Sequence, residues 1–198
     1  MDVYNRMVPE FDRLLANWEY MTSKQLSDSA LLQQAGIDDA EVLNLGCSFP
    51  LDEMASAHRT RRWVATDLGE QTIRVAEEAA RRHLSAEVLE KLSFEVADGT
   101  QLPYPDESFD VVVSFSTVDH VPSADGRQRF IDEMARVTRR GGRVVVTVPN
   151  RWNRGYANRA KILGADRAPE FYEYCFSPPE IRGMVATVAH LVTVEEVE

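Results

Sequence analysis

Cysteine is scarce in this sequence of 198 residues, which has two, Cys47 and Cys175. Two lone thiols so far apart make neither a disulfide framework nor a zinc site, and no metal is expected. No apolar run approaches the roughly 20 residues that a membrane span needs. The start, Met1 to Arg13, carries Asp2, Arg6, Glu10, Asp12 and Arg13, so it lacks the apolar core of a signal peptide. A cytoplasmic protein with no membrane partner is the expectation. Positive charge is also short: 22 Lys and Arg stand against 32 Asp and Glu, a formal net charge of -10. That potential repels a phosphate backbone and argues against nucleic acid as a partner. The two densest basic clusters, Arg59-Arg61-Arg62 and Arg136-Arg139-Arg140, are expected at helix ends or connections, where positive charge complements the helix C-terminus. Internal repeats and low-complexity segments are missing too.

What is present is ordinary: 44% hydrophobic and 27% charged residues, in a length that suits one domain with a full core. From residue 40 the pattern alternates strand and helix. Strands are predicted at Glu41–Leu45, Trp63–Thr66, Leu92–Ala97, Phe109–Phe115 and Arg143–Val148. Helices are predicted at Leu51–His58, Glu70–His83 and Arg127–Thr138, the last ended by Gly141-Gly142. The near-continuous valines at 111–113 and 144–146 fit strands buried on both faces. This alternation predicts a doubly wound α/β fold, a mostly parallel sheet with helices on both faces. A single domain is expected in three parts: a helical cover over 1–38, a core over 40–150, and a tail over 151–198. The cover reads as a helix bearing Phe11, Leu14, Leu15 and Trp18, then a short helix from Ser27 to Ala35, either packed on the core or lidding a pocket. In the tail, a helix is predicted around Ala157–Leu163, another from Ser177-Pro-Pro-Glu180 to about Ala189, and a strand at Leu191–Val197.

In open α/β sheets, ligands bind beyond the carboxyl ends of the strands, where the strand order reverses. The residues at those places are Gly46, Cys47 and Ser48, then Asp67, then Asp98 and Gly99, then Ser116 to His120, then Pro149 and Asn150. Three of these five places carry a carboxylate: Asp67, Asp98 and Asp119. An adenosyl ligand accounts for two of them. Asp67, about 20 residues past the first loop, has the spacing of a carboxylate that accepts from ribose hydroxyls. Asp98 suits the exocyclic amine of adenine. Helix capping explains Asp67 alone about as well, and a plain turn explains Asp98-Gly99 alone better. Their joint occurrence at successive strand ends favours the ligand.

Val42-Leu-Asn-Leu-Gly-Cys-Ser48 resembles the first glycine-rich motif of class I S-adenosylmethionine-dependent methyltransferases. Phe94 to Gly99, then Leu102-Pro-Tyr-Pro-Asp-Glu-Ser-Phe-Asp-Val-Val113, is similar to their third and fourth strand signature. Arg136 to Val146 resembles their helix, double-glycine turn and fifth strand. The resemblance implies S-adenosylmethionine as cofactor and methyl transfer to a small-molecule acceptor. It implies that Asn44, Gly46 and Cys47 flank the methionine part, Asp67 holds the ribose, and Leu68 packs on adenine. Asp98 would then meet the adenine amine beside Gly99, and Ser114 to Thr117 would line the reactive end.

The first motif departs from the family pattern. Asn44 stands where an acid is usual, which removes a negative charge near the cofactor's ammonium group. Ser48 and Pro50 replace glycines, and serine costs little there if its φ stays negative. A final antiparallel strand is also missing from the pattern, because the tail supplies one strand in place of two. A homodimer that completes the sheet is therefore expected. Methyl transfer needs alignment more than a base. Asp119 and His120 are the candidate proton-accepting pair, with a packing role as the other reading of His120. Tyr4, Trp18, Trp152, Tyr172 and Tyr174 are candidates for an aromatic substrate pocket. The altered loop leaves a second reading, an inactive methyltransferase-like binding or assembly domain. A nicotinamide enzyme fits poorly, for Gly46 does not open a G-x-G-x-x-G pattern.

Overall fold

A computed structural model describes residues 18–153 and 173–188. The expectations for Phe11 to Leu15, Tyr4, Tyr172, the helix at Ala157–Leu163 and the strand at Leu191–Val197 lie outside those residues. Five strands form one parallel sheet: β1 (Glu41–Leu45), β2 (Arg62–Asp67), β3 (Leu92–Val96), β4 (Phe109–Phe115) and β5 (Thr138–Thr147). Their order is β3-β2-β1-β4-β5. The helices are α1 (Trp18–Ala35), α2 (Leu51–Ser56), α3 (Glu70–His83), α4 (Ala86–Leu89), α5 (Ala124–Val137) and α6 (Pro178–Ala186). Short 3₁₀ turns follow α2 and β4, at Ala57–Arg59 and Val118–His120.

The central strands carry β-branched and apolar residues because both of their faces are covered. Val42, Trp63, Ala65, Val111, Val113 and Phe115 face a cluster that takes Leu32 and Ala35 from α1 and Ile73 and Ala76 from α3. Leu43, Leu45, Val64 and Val112 face the opposite cluster, with Phe130, Ile131, Met134 and Val137 of α5 and Ile181 of α6. In α3 the buried residues Thr72, Ile73, Ala76, Ala79 and Ala80 keep helical spacing. Its outer face is laced by Glu70–Arg74, Glu77–Arg81 and Glu78–Arg82 pairs four residues apart, each worth only about 0.3–0.5 kcal/mol. Ser123 caps α5 by accepting from the Gly126 amide at 3.0 Å.

Some expectations are corrected. Residues 27–35 are not a separate short helix but the end of α1, which runs unbroken from Trp18. The fifth strand starts at Thr138 and not at Arg143. Between the pairs Phe109–Thr138 and Val111–Arg143, β5 advances five residues while β4 advances two. The double glycine therefore lies in an excursion within the strand. α4, a single turn, went unpredicted. The arginine clusters lie at helix ends and connections, with Arg59 and Arg136 in last turns, and Arg59, Arg61, Arg136 and Arg139 also find carboxylates: Asp38, Glu41 and Asp110, Glu133 and Asp106, and Asp110 and Glu41 respectively.

Candidate functional site

The strand order reverses between β1 and β4, and a ligand crevice is expected outside their carboxyl ends. Two loops border it, Gly46–Pro50 and Ser116–His120. The first turns because the Gly46 and Cys47 amides both donate to the Thr66 carbonyl at 2.8 Å. Gly46 has φ +81°, and a Cβ built there would lie 2.2 Å from Thr117 Oγ1. Only glycine fits, for both reasons. Ser48 and Ser116 also have positive φ, +50° and +53°, an arrangement that L-residues adopt at a cost. The condition attached to Ser48, that its φ stay negative, is thus not met. Pro50 sits just ahead of α2, and Phe49 is partly exposed beside it.

Asp67 ends β2 and faces the first loop. One carboxylate oxygen accepts from the Ser48 amide at 3.2 Å, the other from the Gly69 amide at 2.9 Å. With the Leu68 amide also turned toward the carboxylate, three of its roughly four lone-pair directions are engaged and one is left for a ligand. Burial pushes the Asp67 carboxyl above its usual range, against the pull of the Gly69, Ser48 and Leu68 amides and of the charge on His120. Leu68, next to Asp67, is partly exposed, and so is Val96 at the end of β3. Asp98 is exposed, with Oδ1 engaged by the Thr100 amide and hydroxyl at 2.8 and 2.7 Å. Gly99 has a packing reason for being glycine: a Cβ would meet the Phe130 ring at 2.2 Å.

Beneath the first loop lies a polar group that the sequence did not announce. Asn44 is buried, and its Nδ2 donates to Glu53 Oε1 at 2.7 Å. Trp63 Nε1 donates to the same oxygen at 3.1 Å. Glu53 is fully buried. An acid in the first turn of a helix reads in sequence as a solvated partner of the helix dipole, so its burial left no signal. Burial pushes the Cys47 thiol well up, and the charges of Glu53 and Asp67 add to this. Asn44 Oδ1 and Ser114 Oγ are buried and have no hydrogen-bond partner among the described residues.

At the far side of the crevice Asp119 is buried, and its Oδ2 lies 3.5 Å from His120 Nε2. The Tyr174 amide donates to the Asp119 carbonyl at 2.8 Å. Arg127 stacks its guanidinium 3.9 Å from the centre of the Tyr174 ring and donates to the Val121 and Pro122 carbonyls. Tyr174 in turn packs edge-on against Phe176 at 4.9 Å. Of the expected aromatic pocket, Tyr174 is thus committed to packing, and Trp152 is 64% exposed. A cleft of about 330 Å³ lies at the opposite end of the sheet, among Gly36, Asp110, Arg139 and Gly141. It sits at the amino ends of β4 and β5, and the Asp110–Arg139 ion pair occupies its wall.

This donor set fits an adenosyl ligand with a cationic methionine tail. Asp67 offers a lone pair beside the apolar Leu68, and the negative charges of Glu53 and Asp67 surround the first loop. Comparisons with known proteins agree. The sequence profile of a family described as methyltransferase domain matches residues 43–146. Methyltransferase GfsG of Streptomyces halstedii is 37% identical over 107 residues, 54% of this chain and 36% of that protein. The 27-O-demethylrifamycin SV methyltransferase of Amycolatopsis mediterranei is 36% identical over 107 residues, 53% of this chain and 37% of that protein. The chain thus spans little more than a third of the length of either relative. An S-adenosylmethionine-dependent methyltransferase from Thermotoga maritima superposes with a TM-score of 0.70 at 18% identity, over 94% of this chain and 79% of that one, a likeness of fold.

Proposed function

Because this chain belongs to the methyltransferase domain family, we propose that it transfers a methyl group from S-adenosylmethionine to a hydroxyl or amine of a small molecule. The observation that carries this reading is Asp67, held by the Ser48 and Gly69 amides at the mouth of the crevice. Asp67 would take the ribose hydroxyls, Leu68 and Asp98 the adenine, and Gly46 and Cys47 the methionine part, with Ser114 near the reactive end. When bound, the sulfonium supplies an activated methyl group that leaves without a proton transfer of its own. The chain's task is to align the acceptor and keep water out. His120 receives the acceptor's proton, and Asp119 steadies the imidazole from 3.5 Å. The tail around Tyr174 holds this pair in place through the Asp119 carbonyl.

The acceptors named for the relatives, 27-O-demethylrifamycin SV among them, support a small-molecule substrate. The family's chemistry and the lack, among the described residues, of a helix long and apolar enough to cross a membrane are compatible with work in the cytoplasm. The outer edge of β5 has no neighbour among the described residues, which supports the homodimer. One observation favours a cofactor-free binding domain instead: the Thr117 side chain packs onto Gly46. Calorimetric titration with S-adenosylmethionine and S-adenosylhomocysteine, on the native chain and on Asp67→Ala, decides between them. Micromolar binding that Asp67→Ala abolishes is the expected result. A folded native chain that takes up neither compound would sink the enzyme reading.

A further inference from the structure

The first motif has Asn44 where its family carries an acid, yet a carboxylate stands 2.7 Å from the Asn44 side chain. It belongs to Glu53, in the first turn of α2, directly after the loop. We propose that Glu53 is a positioning residue that carries the displaced charge of the first motif, and that this charge draws the cationic amino-acid tail of the cofactor to the loop. The inference rests on the cofactor assignment above and adds a residue to it.

Three features support it. Glu53 has no exposed surface, and a buried carboxylate is costly unless its surroundings compensate. Two N–H donors, from Asn44 and Trp63, converge on one of its oxygens, so it is an acceptor site built from β1, β2 and α2 together. Its negative charge is felt at Cys47, within the loop itself. The same hydrogen bond fixes Asn44. An amide turned the other way would set its oxygen against the Glu53 carboxylate, so Nδ2 must face Glu53, leaving Oδ1 buried without a protein partner among the described residues. An acid at position 44 and an amide at position 53 would make the same pair with the roles exchanged. The amide at 53 would then donate its Nε2–H to the acid at 44 and give up the bond from Trp63, because both partners meet the same atom of residue 53. The charge is therefore transposable between the two positions at the expense of the Trp63 hydrogen bond alone.

The test uses three ligands on the full chain. S-adenosylmethionine and S-adenosylhomocysteine carry the amino-acid tail, and 5′-methylthioadenosine lacks it. Glu53→Gln is expected to weaken the first two by about tenfold while 5′-methylthioadenosine changes less than about twofold. The exchanged variant, Asn44→Asp with Glu53→Gln, is expected to regain the lost affinity and also serves if Glu53→Gln alone folds poorly. A purely structural Glu53 would lower the melting temperature and weaken all three ligands alike. Equal losses, no losses, or an exchanged variant that folds and stays weak would each overturn the proposal while leaving the cofactor reading intact. A native chain that binds none of the three overturns both.

Discussion

At the scale of single residues, the crevice is governed by which positions can bear a Cβ. Gly46 cannot, because Thr117 already fills the space and its φ is +81°. Gly46→Ala should lower stability by about 2 kcal/mol, from crowding and backbone strain together. Adding Thr117→Gly should recover the crowding part, so that denaturant melts of the two single variants and the double one give a coupled cycle. Losses that simply add would mean the contact is not the cause. Ser48 and Ser116 bear the opposite relation to the same rule, holding φ values of +50° and +53° that glycine would adopt freely. Gly46 declares itself in sequence because glycine after a buried strand is a signal. The strain at the two serines does not, since serine suits turns of many kinds. The role of Glu53 was invisible for a similar reason: its partners, Asn44 and Trp63, are nine and ten residues away on other elements.

At the scale of elements, hydrophobic pattern located the strands, because β1, β2 and β4 are short, buried runs and β3 a short, half-buried one, each bounded by polar turns. It did not locate the beginning of β5. The segment Thr138–Gly142 is basic and glycine-rich, and it joins the sheet through Asp110 rather than through apolar burial. Asp110 accepts from the Glu41 amide at 2.8 Å, from Arg139 at 2.7 Å and from Arg61 at 3.0 Å, and Arg139 also reaches Glu41 at 2.9 Å. One carboxylate thus staples the amino ends of β1, β4 and β5. Asp110→Ala should cost about 1 kcal/mol in urea denaturation, because it takes the partner from the Glu41 amide, while Arg139 and Arg61 keep Glu41. A loss under about 0.5 kcal/mol would reduce the network to solvated surface charge. Loop connections such as Asp67 to Ser48 follow from the strand order. The carboxylates at strand ends were therefore legible as a set, while the distances among them were not.

At the scale of the whole molecule, acid should separate binding from folding. Burial, the dominant influence on Asp67, raises its carboxyl above the ordinary 3.8. Asp67 therefore protonates early as pH falls, and the acid form loses acceptor capacity toward a ribose. Glu133 is held below the ordinary 4.5 by Arg136. For Asp110, burial raises the carboxyl, but the Glu41 amide and the Arg139 guanidinium outweigh it and hold it below 3.8. Depressed carboxyls contribute stability that is complete above their unfolded values and is lost only as pH falls through the lower folded ones. Titrating S-adenosylhomocysteine against pH while following circular dichroism should therefore show affinity fading before the fold does. Coincident transitions would remove Asp67 from the cofactor site. The tail behaves differently from this charge-tuned centre. The Tyr174 amide meets the Asp119 carbonyl, the Phe176 amide meets the Pro149 carbonyl, and the Arg151 amide meets the Phe176 carbonyl. Backbone amides make these links, and the buried side chains of Cys175 and Phe176 anchor the strap in the core on the His120 side of the crevice. A lineage can rewrite what exposed neighbours such as Trp152 offer an acceptor, one substitution at a time, without loosening the strap that fixes Asp119.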